Sequence, residues 1–472
     1  MLLPSEARIE RTPASKETKI MPASPNVLVV TADSLGKKMA GPAIRAFEIA
    51  KALSKVTSVR LISTSSSSLT HADFDVRHAT NAELKEHEKW ADVVVFQGHL
   101  LASNPWMKHS TKIIVADIYD PMHLEQLEQG KELESEERFL TSASINGVLN
   151  EQIERADFMV CASDKQRDFW LGQLAAVGRI NPATYDDDAS LRNLLDVVPF
   201  GVEDAAPVQR AHGIKGTVPG IGPDDKVVIW GGGIYNWFDP LTLVRAIHRL
   251  SLRRPNVRLF FLGVKHPNPD VPTMKMAFDA RQLAIELGLL DRVVFFNEGW
   301  VPYDERANYL LDADVGVSTH LDHLETAFSF RTRILDYLWT SLPIVSTTGD
   351  TFAEIITKND LGRTVPPEDV EALEAALEEL LYDEVESVRV AKRVGEFAET
   401  MKWAVVLKPL IAFCLSPRHA PDLALGIEPA SNFQVRRLST RIRGIESSTS
   451  WKITAPLRAT ADGIRALLGR GR

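Results

Sequence analysis

The chain has 472 residues, more than one hydrophobic core usually supports, so two domains are expected. With 44% hydrophobic and 25% charged residues it reads as an ordinary globular protein, and a net charge of −9 argues against nucleic acid as the main partner. No apolar run is long enough to span a bilayer, and Cys161 and Cys414, in apolar contexts without metal-like spacing, read as buried thiols in a reducing compartment.

Met1–Ser24 is polar and broken by prolines, lacks the apolar core of a signal peptide, and reads as disordered. From Asn26 onward strand and helix patterns alternate, the signature of βαβ units and parallel sheets. Asn26–Thr31 is a continuous apolar run, expected as a fully buried strand. A loop with Gly36 and Gly41-Pro42 follows. Ala43–Ser54 is then helical, with Ile44, Phe47, Ala50 and Leu53 on one face and Pro42 suited to the first helical position. Strands are predicted at Val59–Ser63, Val93–Gln97, Ile113–Asp117 and Phe158–Ala162, a helix from Asp164 to Leu174, and a closing strand at Val197–Phe200. Pro and Gly concentrate in Gly201–Asp224, the expected linker.

The grammar then restarts. Val227–Trp230 is a strand ending in Gly231-Gly232-Gly233. Helices are predicted at Leu241–Leu250, Met276–Leu287, Glu305–Ala313 and from Val370 to about Leu381, and strands at Val257–Leu262, Val293–Phe296, Val315–Ser318 and Pro343–Ser346. The fold class is therefore α/β: two Rossmann-like, doubly wound domains, 25–202 and 203–402, facing each other across a cleft. An apolar helix in 403–420 is expected to cross back to the first domain. The tail, 421–472, carries nine basic and two acidic residues between Ser431 and Arg472, interleaved with apolar ones. Such a tail lies on anionic lipid, stays disordered, or packs on the body or a partner; the sequence leaves these open.

Phe328-Ser329-Phe330-Arg331-Thr332-Arg333-Ile334-Leu335-Asp336 carries the sharpest chemical signal. Ser329 is a candidate cap for a helix whose apolar face holds Ile334, Leu335 and Leu338. Arginines at a helix N-terminus oppose the helix dipole unless an anion sits there. The group reads as a clamp in which Arg331 and Arg333 grip a nucleoside diphosphate and Asp336 takes ribose hydroxyls, against the plainer reading of an Arg333–Asp336 surface pair and an Arg331 bonded to an acidic neighbour.

The order of these signals resembles the retaining family-4 (group 1) glycosyltransferases of the GT-B fold, from about Asn26 to Cys414. The likeness rests on Ala40-Gly41-Pro42-Ala43 before a helix, Ala156–Ser163, Val197-Val198-Pro199-Phe200-Gly201-Val202-Glu203, Trp230–Gly233, and Phe328–Val345. Two departures stand out. Of the acidic pair usual in that family, Asp336 stands at the second position but Phe328 at the first, with Glu325 three residues upstream. The loop Gly231–Asp239 also lacks the basic residues that relatives place on the pyrophosphate.

The resemblance implies transfer of a sugar from a nucleotide-diphosphate donor to a glycan or lipid-linked acceptor, with retention, in cell-surface polysaccharide or glycolipid synthesis. The setting would be cytoplasmic, peripheral at the inner face of a membrane. Gly231, Gly232, Gly233, Gly263, Lys265, Ser329, Phe330, Arg331, Arg333 and Asp336 are the donor-binding candidates, with His266 beside Lys265. Asp117 and Glu325 are the catalytic candidates, to steady a cation-like anomeric centre or contact sugar hydroxyls. Gly41, Arg45, His99 and His123 are candidates for the acceptor. Tyr235 and Trp237 either line the crevice or pack the domain. No cofactor or required metal is expected, because Asp186-Asp187-Asp188 lies in a polar loop and reads as solvated charge. Three other readings stay open: an NDP-sugar epimerase of the same fold, a non-catalytic GT-B-like partner protein, and a nicotinamide-dependent dehydrogenase, the last weakened by the absence of G-x-G-x-x-G after the first strand.

Overall fold

The computed structural model describes residues 24–264, 274–427, 440–445 and 447–454. Lys265, His266, the Met1–Ala23 stretch and most of the basic tail lie outside the described residues. Two parallel sheets organise the chain. The first contains β1 (Asn26–Thr31), β2 (Ser58–Ser63), β3 (Asp75–His78), β4 (Val93–Gln97), β5 (Ile113–Asp117), β6 (Phe158–Cys161) and β7 (Leu195–Val197), in the order β3-β2-β1-β4-β5-β6-β7. The second contains β8 (Lys226–Trp230), β9 (Val257–Phe261), β10 (Val294–Phe296), β11 (Val315–Ser318), β12 (Ile344–Thr347) and β13 (Gly362–Val365), in the order β10-β9-β8-β11-β12-β13. Both orders reverse direction beside their first strand, at β1/β4 and at β8/β11, where ligands of open α/β sheets bind.

The apolar runs became central strands because both faces of a parallel sheet are covered by helices. Val27, Leu28, Val29 and Val30 in β1 and Val227, Val228, Ile229 and Trp230 in β8 are all buried. The edge strands β3 and β13 were not visible in the sequence: Asp-Val-Arg-His and Gly-Arg-Thr-Val show no apolar run. The strand expected at Val197–Phe200 pairs instead over Leu195–Val197, since Pro199 has no N–H to donate to a ladder. The helix Ser135–Arg155 also escaped, its first half being largely exposed and without a clean apolar stripe.

The end of the second domain and the chain after it return to the first. Val202 and Lys402 form a β-bridge, with the Val202 amide donating to Met401 O (2.8 Å) and the Trp403 amide to Val202 O (3.0 Å). Beyond it, the helix Lys408–Leu415 returns to the first domain, where Phe413 stacks on Phe158 at 4.4 Å between ring centres. Farther on, Asp422 pairs with the buried Arg179 at 2.7 Å. Among the described residues no helix is long and apolar enough to cross a membrane.

The Arg-bearing segment departs from the expected single helix. It forms one short helix, Leu324–Phe328, a break, and a second, Arg333–Trp339. Ser329 ends the first rather than opening the second, its hydroxyl donating to Thr326 O at 3.0 Å. Tyr337 docks the second helix onto the sheet. Its buried hydroxyl accepts from the Gly231 amide (2.8 Å) and points its proton at the Val317 and Ile229 carbonyls, while a Cβ on Gly316 would run into its ring. A buried phenol with its hydrogen-bonding needs met fixes register as well as burial. It sets Arg333, one turn back, against the Gly231–Gly233 loop.

Candidate functional site

A cavity of about 470 Å³ opens between the domains at the carboxyl ends of both sheets. The first domain contributes the loop after β1 (Asp33, Met39–Pro42), the segment after β5 (Tyr119–Pro121), Glu125 and Phe200. The second contributes Gly231–Gly233, Tyr235, Trp237, Phe238, Trp300, Tyr303, Arg306, Glu325, Ser329–Arg333 and Asp336. The two walls touch directly, with Tyr303 N donating to Lys37 O (2.8 Å), Trp300 Nε1 to Met39 O (3.1 Å) and Gln166 Nε2 to Phe328 O (2.9 Å).

Arg333 is the unusual group. It is 7% exposed, its guanidinium lies 4.0 Å from the Phe238 ring centre and 4.2 Å from that of Trp230, and Nη2 donates to Gly233 O at 2.9 Å. Nη1 is buried without a partner, and no carboxylate pairs with the cation among the described residues. Burial pulls its pKa down to about 10, the nearby Arg331 charge adding to the effect. A buried arginine lacking a counterion is costly, and is relieved when an anion enters. Beside it, Gly232 has φ +82°, a left-handed conformation that costs glycine nothing. The Gly231 amide is taken by Tyr337, so the sequence expectation for that residue narrows to Gly232 and Gly233.

Arg331 differs from its neighbour. Both of its Nη atoms donate to Glu325, at 2.9 and 2.8 Å, and Nη2 also to Thr326 Oγ1. It is thus not the free fork the sequence suggested, and Glu325 is not a free catalytic carboxylate; both still line the cavity. Asp336 accepts from Arg306 Nε at 3.0 Å rather than pairing with Arg333. Arg306, unassigned from sequence, also reaches Glu203 (3.1 Å) and stacks on Tyr303 and Trp339, so one buried cation ties the domain junction to the Asp336 helix.

Five other expected site residues sit elsewhere. Asp117 and Arg45 pair with each other beneath the cleft, at 2.6 and 2.8 Å, with both side chains fully buried. Gln97 Nε2 also donates to Asp117, and Arg45 Nη2 to Val198 O, so this pair braces β5 against the helix Gly41–Leu53 and neither residue is placed to touch substrate. His123 packs on Phe169 and Trp170, and burial pushes its pKa down to about 4. His99 lines a separate cavity. Gly263 does not line the cleft; a Cβ there would press on Trp300. Gly41, Ser329, Phe330, Tyr235 and Trp237 do line it.

Three residues past Asp117, Asp120 faces the cleft with Glu125 nearby. Burial, reinforced by Glu325, raises Asp120 to about 7, and burial lifts Glu125 well above the carboxylate range. A raised folded-state pKa means the native protein holds a proton that the unfolded chain has shed. Stability from this group is complete below the unfolded value near 4 and is lost as pH rises through about 7. Asp120→Asn is therefore expected to raise the melting temperature relative to wild type at pH 8, with the gain shrinking toward pH 4; a difference that does not vary with pH would contradict the assignment. Among the described residues, no three His, Cys, Asp or Glu side chains are grouped to hold a metal. Cys161 and Cys414 are buried free thiols, pushed up to about 12 by burial.

Residues 225–383 match the family model described as glycosyl transferases group 1. Solved structures extend the likeness to both domains. Sucrose-phosphate synthase from Thermosynechococcus elongatus is 15% identical, covering 82% of this chain and 98% of that one at a TM-score of 0.58. WaaG, a glycosyltransferase involved in lipopolysaccharide biosynthesis, is 16% identical, covering 83% and 100% at 0.56. HepE from Anabaena, solved in complex with UDP-glucose, is 15% identical, covering 84% and 100% at 0.58. No curated protein matches the sequence. At these identities the structures establish the fold: two facing Rossmann-like domains of the GT-B type, the second containing the residues that match the family model.

Proposed function

We propose that the chain is a retaining, nucleotide-sugar-dependent glycosyltransferase of family 4. The donor diphosphate would sit on Arg333 and the Gly232–Gly233 amides, and a glycan or lipid-linked acceptor on the first domain. The observation that carries this reading is Arg333, a buried cation at the sheet switch point with an unpaired Nη1 and no carboxylate partner among the described residues. The family match over 225–383 and the UDP-glucose bound to HepE support it. As the anomeric C–O bond breaks, the leaving phosphate gains charge, and donors already fixed at that place stabilise it without reorganisation. The acceptor oxygen takes the anomeric carbon and its proton passes to the leaving phosphate, so no separate base is required. Asp336, held by Arg306, is the candidate for ribose hydroxyls; Glu325, held by Arg331, is the candidate for donor-sugar hydroxyls. No metal or cofactor is proposed. The proposed setting is cell-surface polysaccharide or glycolipid assembly, cytoplasmic, with the basic tail as the membrane contact.

The test is a panel of UDP-, GDP- and dTDP-sugars and NAD in thermal-shift measurements, followed by nucleotide release. One nucleoside diphosphate family is expected to raise the melting temperature, and its release to require an added acceptor. Isomerised sugar nucleotide without release would indicate an epimerase, and a shift with NAD alone would overturn the reading.

A further inference from the structure

A second cavity, about 260 Å³, opens at the carboxyl edge of the first sheet, at the β1/β4 switch point. It lies beside the main cleft: Thr31 and Ala32 line it, and Asp33, the next residue, lines the cleft. Thr64, Asn81, Gln97, His99, Ser103 and Asn104 supply its polar wall, and among the described residues no Lys, Arg, Asp or Glu lines it. Part of that wall is pre-oriented. Gln97 Nε2 donates to Asp117 at 3.1 Å, which fixes the amide so that Oε1 turns to Thr31 Oγ1 at 3.5 Å, the outer limit of a hydrogen bond. Asn104 Nδ2 donates to Asn81 Oδ1 at 3.1 Å and its Oδ1 accepts from Trp106, locking that side chain. The remainder is available. The His99 ring, the Thr64 and Ser103 hydroxyls and the Asn81 Nδ2 have no hydrogen-bond partner among the described residues. Partial burial draws His99 below the ordinary imidazole value, leaving a neutral ring at pH 7.

We infer that this cavity is a binding site for a neutral, hydroxyl-rich ring, a non-reacting sugar unit of the acceptor. The inference rests on the glycosyltransfer reading for the acceptor role, and on this wall alone for the chemistry of the ligand. An uncharged wall with fixed amides and free hydroxyls matches alternating donors and acceptors, and supplies no Lys or Arg among the described residues to pair with a phosphate or carboxylate. The contrast with the cleft is direct, since there an uncompensated arginine awaits an anion. The volume is below that of drug-sized sites and suits a single ring.

The experiment is saturation-transfer NMR on the full chain saturated with UDP or GDP. The probes are methyl glycosides of glucose, galactose, mannose, rhamnose and N-acetylglucosamine, with glucose 6-phosphate as the charged counterpart. At least one neutral glycoside is expected to show transfer, and glucose 6-phosphate none. The signal should fall five-fold or more in the double variant His99→Ala/Asn81→Ala and in the filling variant Ser103→Phe, all at exposed positions. The nucleotide thermal shift should stay unchanged in these variants. Silence from all five glycosides, signals indifferent to the variants, or stronger transfer to the phosphorylated sugar would overturn the inference. Glycoside binding lost with the nucleotide shift intact implicates the cavity. Failure of every nucleoside diphosphate to bind wild type, with glycosides still sensitive to His99 and Asn81, overturns the donor reading and leaves the cavity assignment standing.

Discussion

Arg333→Met is expected to remove nucleoside diphosphate binding while leaving the unliganded protein at least as stable as wild type. The two effects have one cause. In the free protein the guanidinium is buried with a single carbonyl partner and an unpaired Nη1, a desolvated charge without compensation. Methionine is unbranched and matches the arginine stem as far as Nε, so it can keep part of the packing beside Trp230 and Phe238 without the charge. In the liganded protein the same guanidinium is, among the described residues, the one buried cation that no carboxylate has claimed. Losing one member of a buried charge pair typically costs about 2–5 kcal/mol, which is roughly 30- to 4,000-fold in Kd. Calorimetric titration with UDP and GDP, beside melting curves of the free variant, measures both. Arg333→Lys is the control: it keeps the charge without the planar fork and should bind weakly. A Met variant that melted lower than wild type yet bound nucleotide as tightly would refute the role given to Arg333. Arg331→Ala should behave differently, because its fork is already spent on Glu325. Its removal leaves the buried Glu325 carboxylate with only the more distant His323, 3.6 Å away, and lowers stability first.

The second large effect is expected far from any substrate. Asp117→Ala should destabilise the protein by about 3–5 kcal/mol, the usual result of removing one partner of a fully buried pair. Arg45 would then keep the Val198 carbonyl as its hydrogen-bond acceptor, beside the Tyr119 and Phe200 rings, without its carboxylate. For a domain of this size that corresponds to a fall in melting temperature on the order of 10 °C. Arg45→Met/Asp117→Leu should recover much of the loss, since two apolar side chains can replace a buried ion pair at little cost. The coupling is read from the double-mutant cycle. Nucleotide affinity of the folded Asp117→Ala protein should match wild type. A variant with unchanged stability and abolished turnover would return Asp117 to the catalytic role that its place at a strand end first suggested.

The Asp117 case shows where reading the chain stops. An aspartate at the carboxyl end of a parallel strand faces either the crevice or the helix packed beneath the sheet, and strand alternation does not say which. The choice was made by Arg45, 72 positions away on the helix Gly41–Leu53, and Arg45 is in reach only once that helix is packed on β1 and β2. Asp120, unassigned in the sequence, reached the cleft instead. The loop after β5 carries it past the sheet edge, with Glu125 following on the next helix. His99 and His123 diverged for the same reason, one entering a neighbouring cavity and the other an aromatic cluster with Phe169 and Trp170. Arg306 could not have been found, because its meaning comes from Glu203, Asp336 and Trp339, about 100 and 30 positions away, as well as from its neighbour Tyr303.

By itself the sequence determined the alternation of strands and helices, the twofold repetition of that pattern, and the placing of Gly231–Gly233 and the two arginines at the edge of the second sheet. These follow from near-neighbour rules: apolar runs buried on both faces, proline and glycine at breaks, and one face per helix. Only the tertiary structure decided which charges are spent and which remain. Arg331 and Arg333 lie two residues apart with the same side chain, yet one meets Glu325 and the other meets aromatic rings and a carbonyl. Partnership of that kind is fixed by the break between two short helices and by Tyr337 clamping the second against β8 and β11. Local sequence carries no record of a hydrogen bond made across a hundred residues.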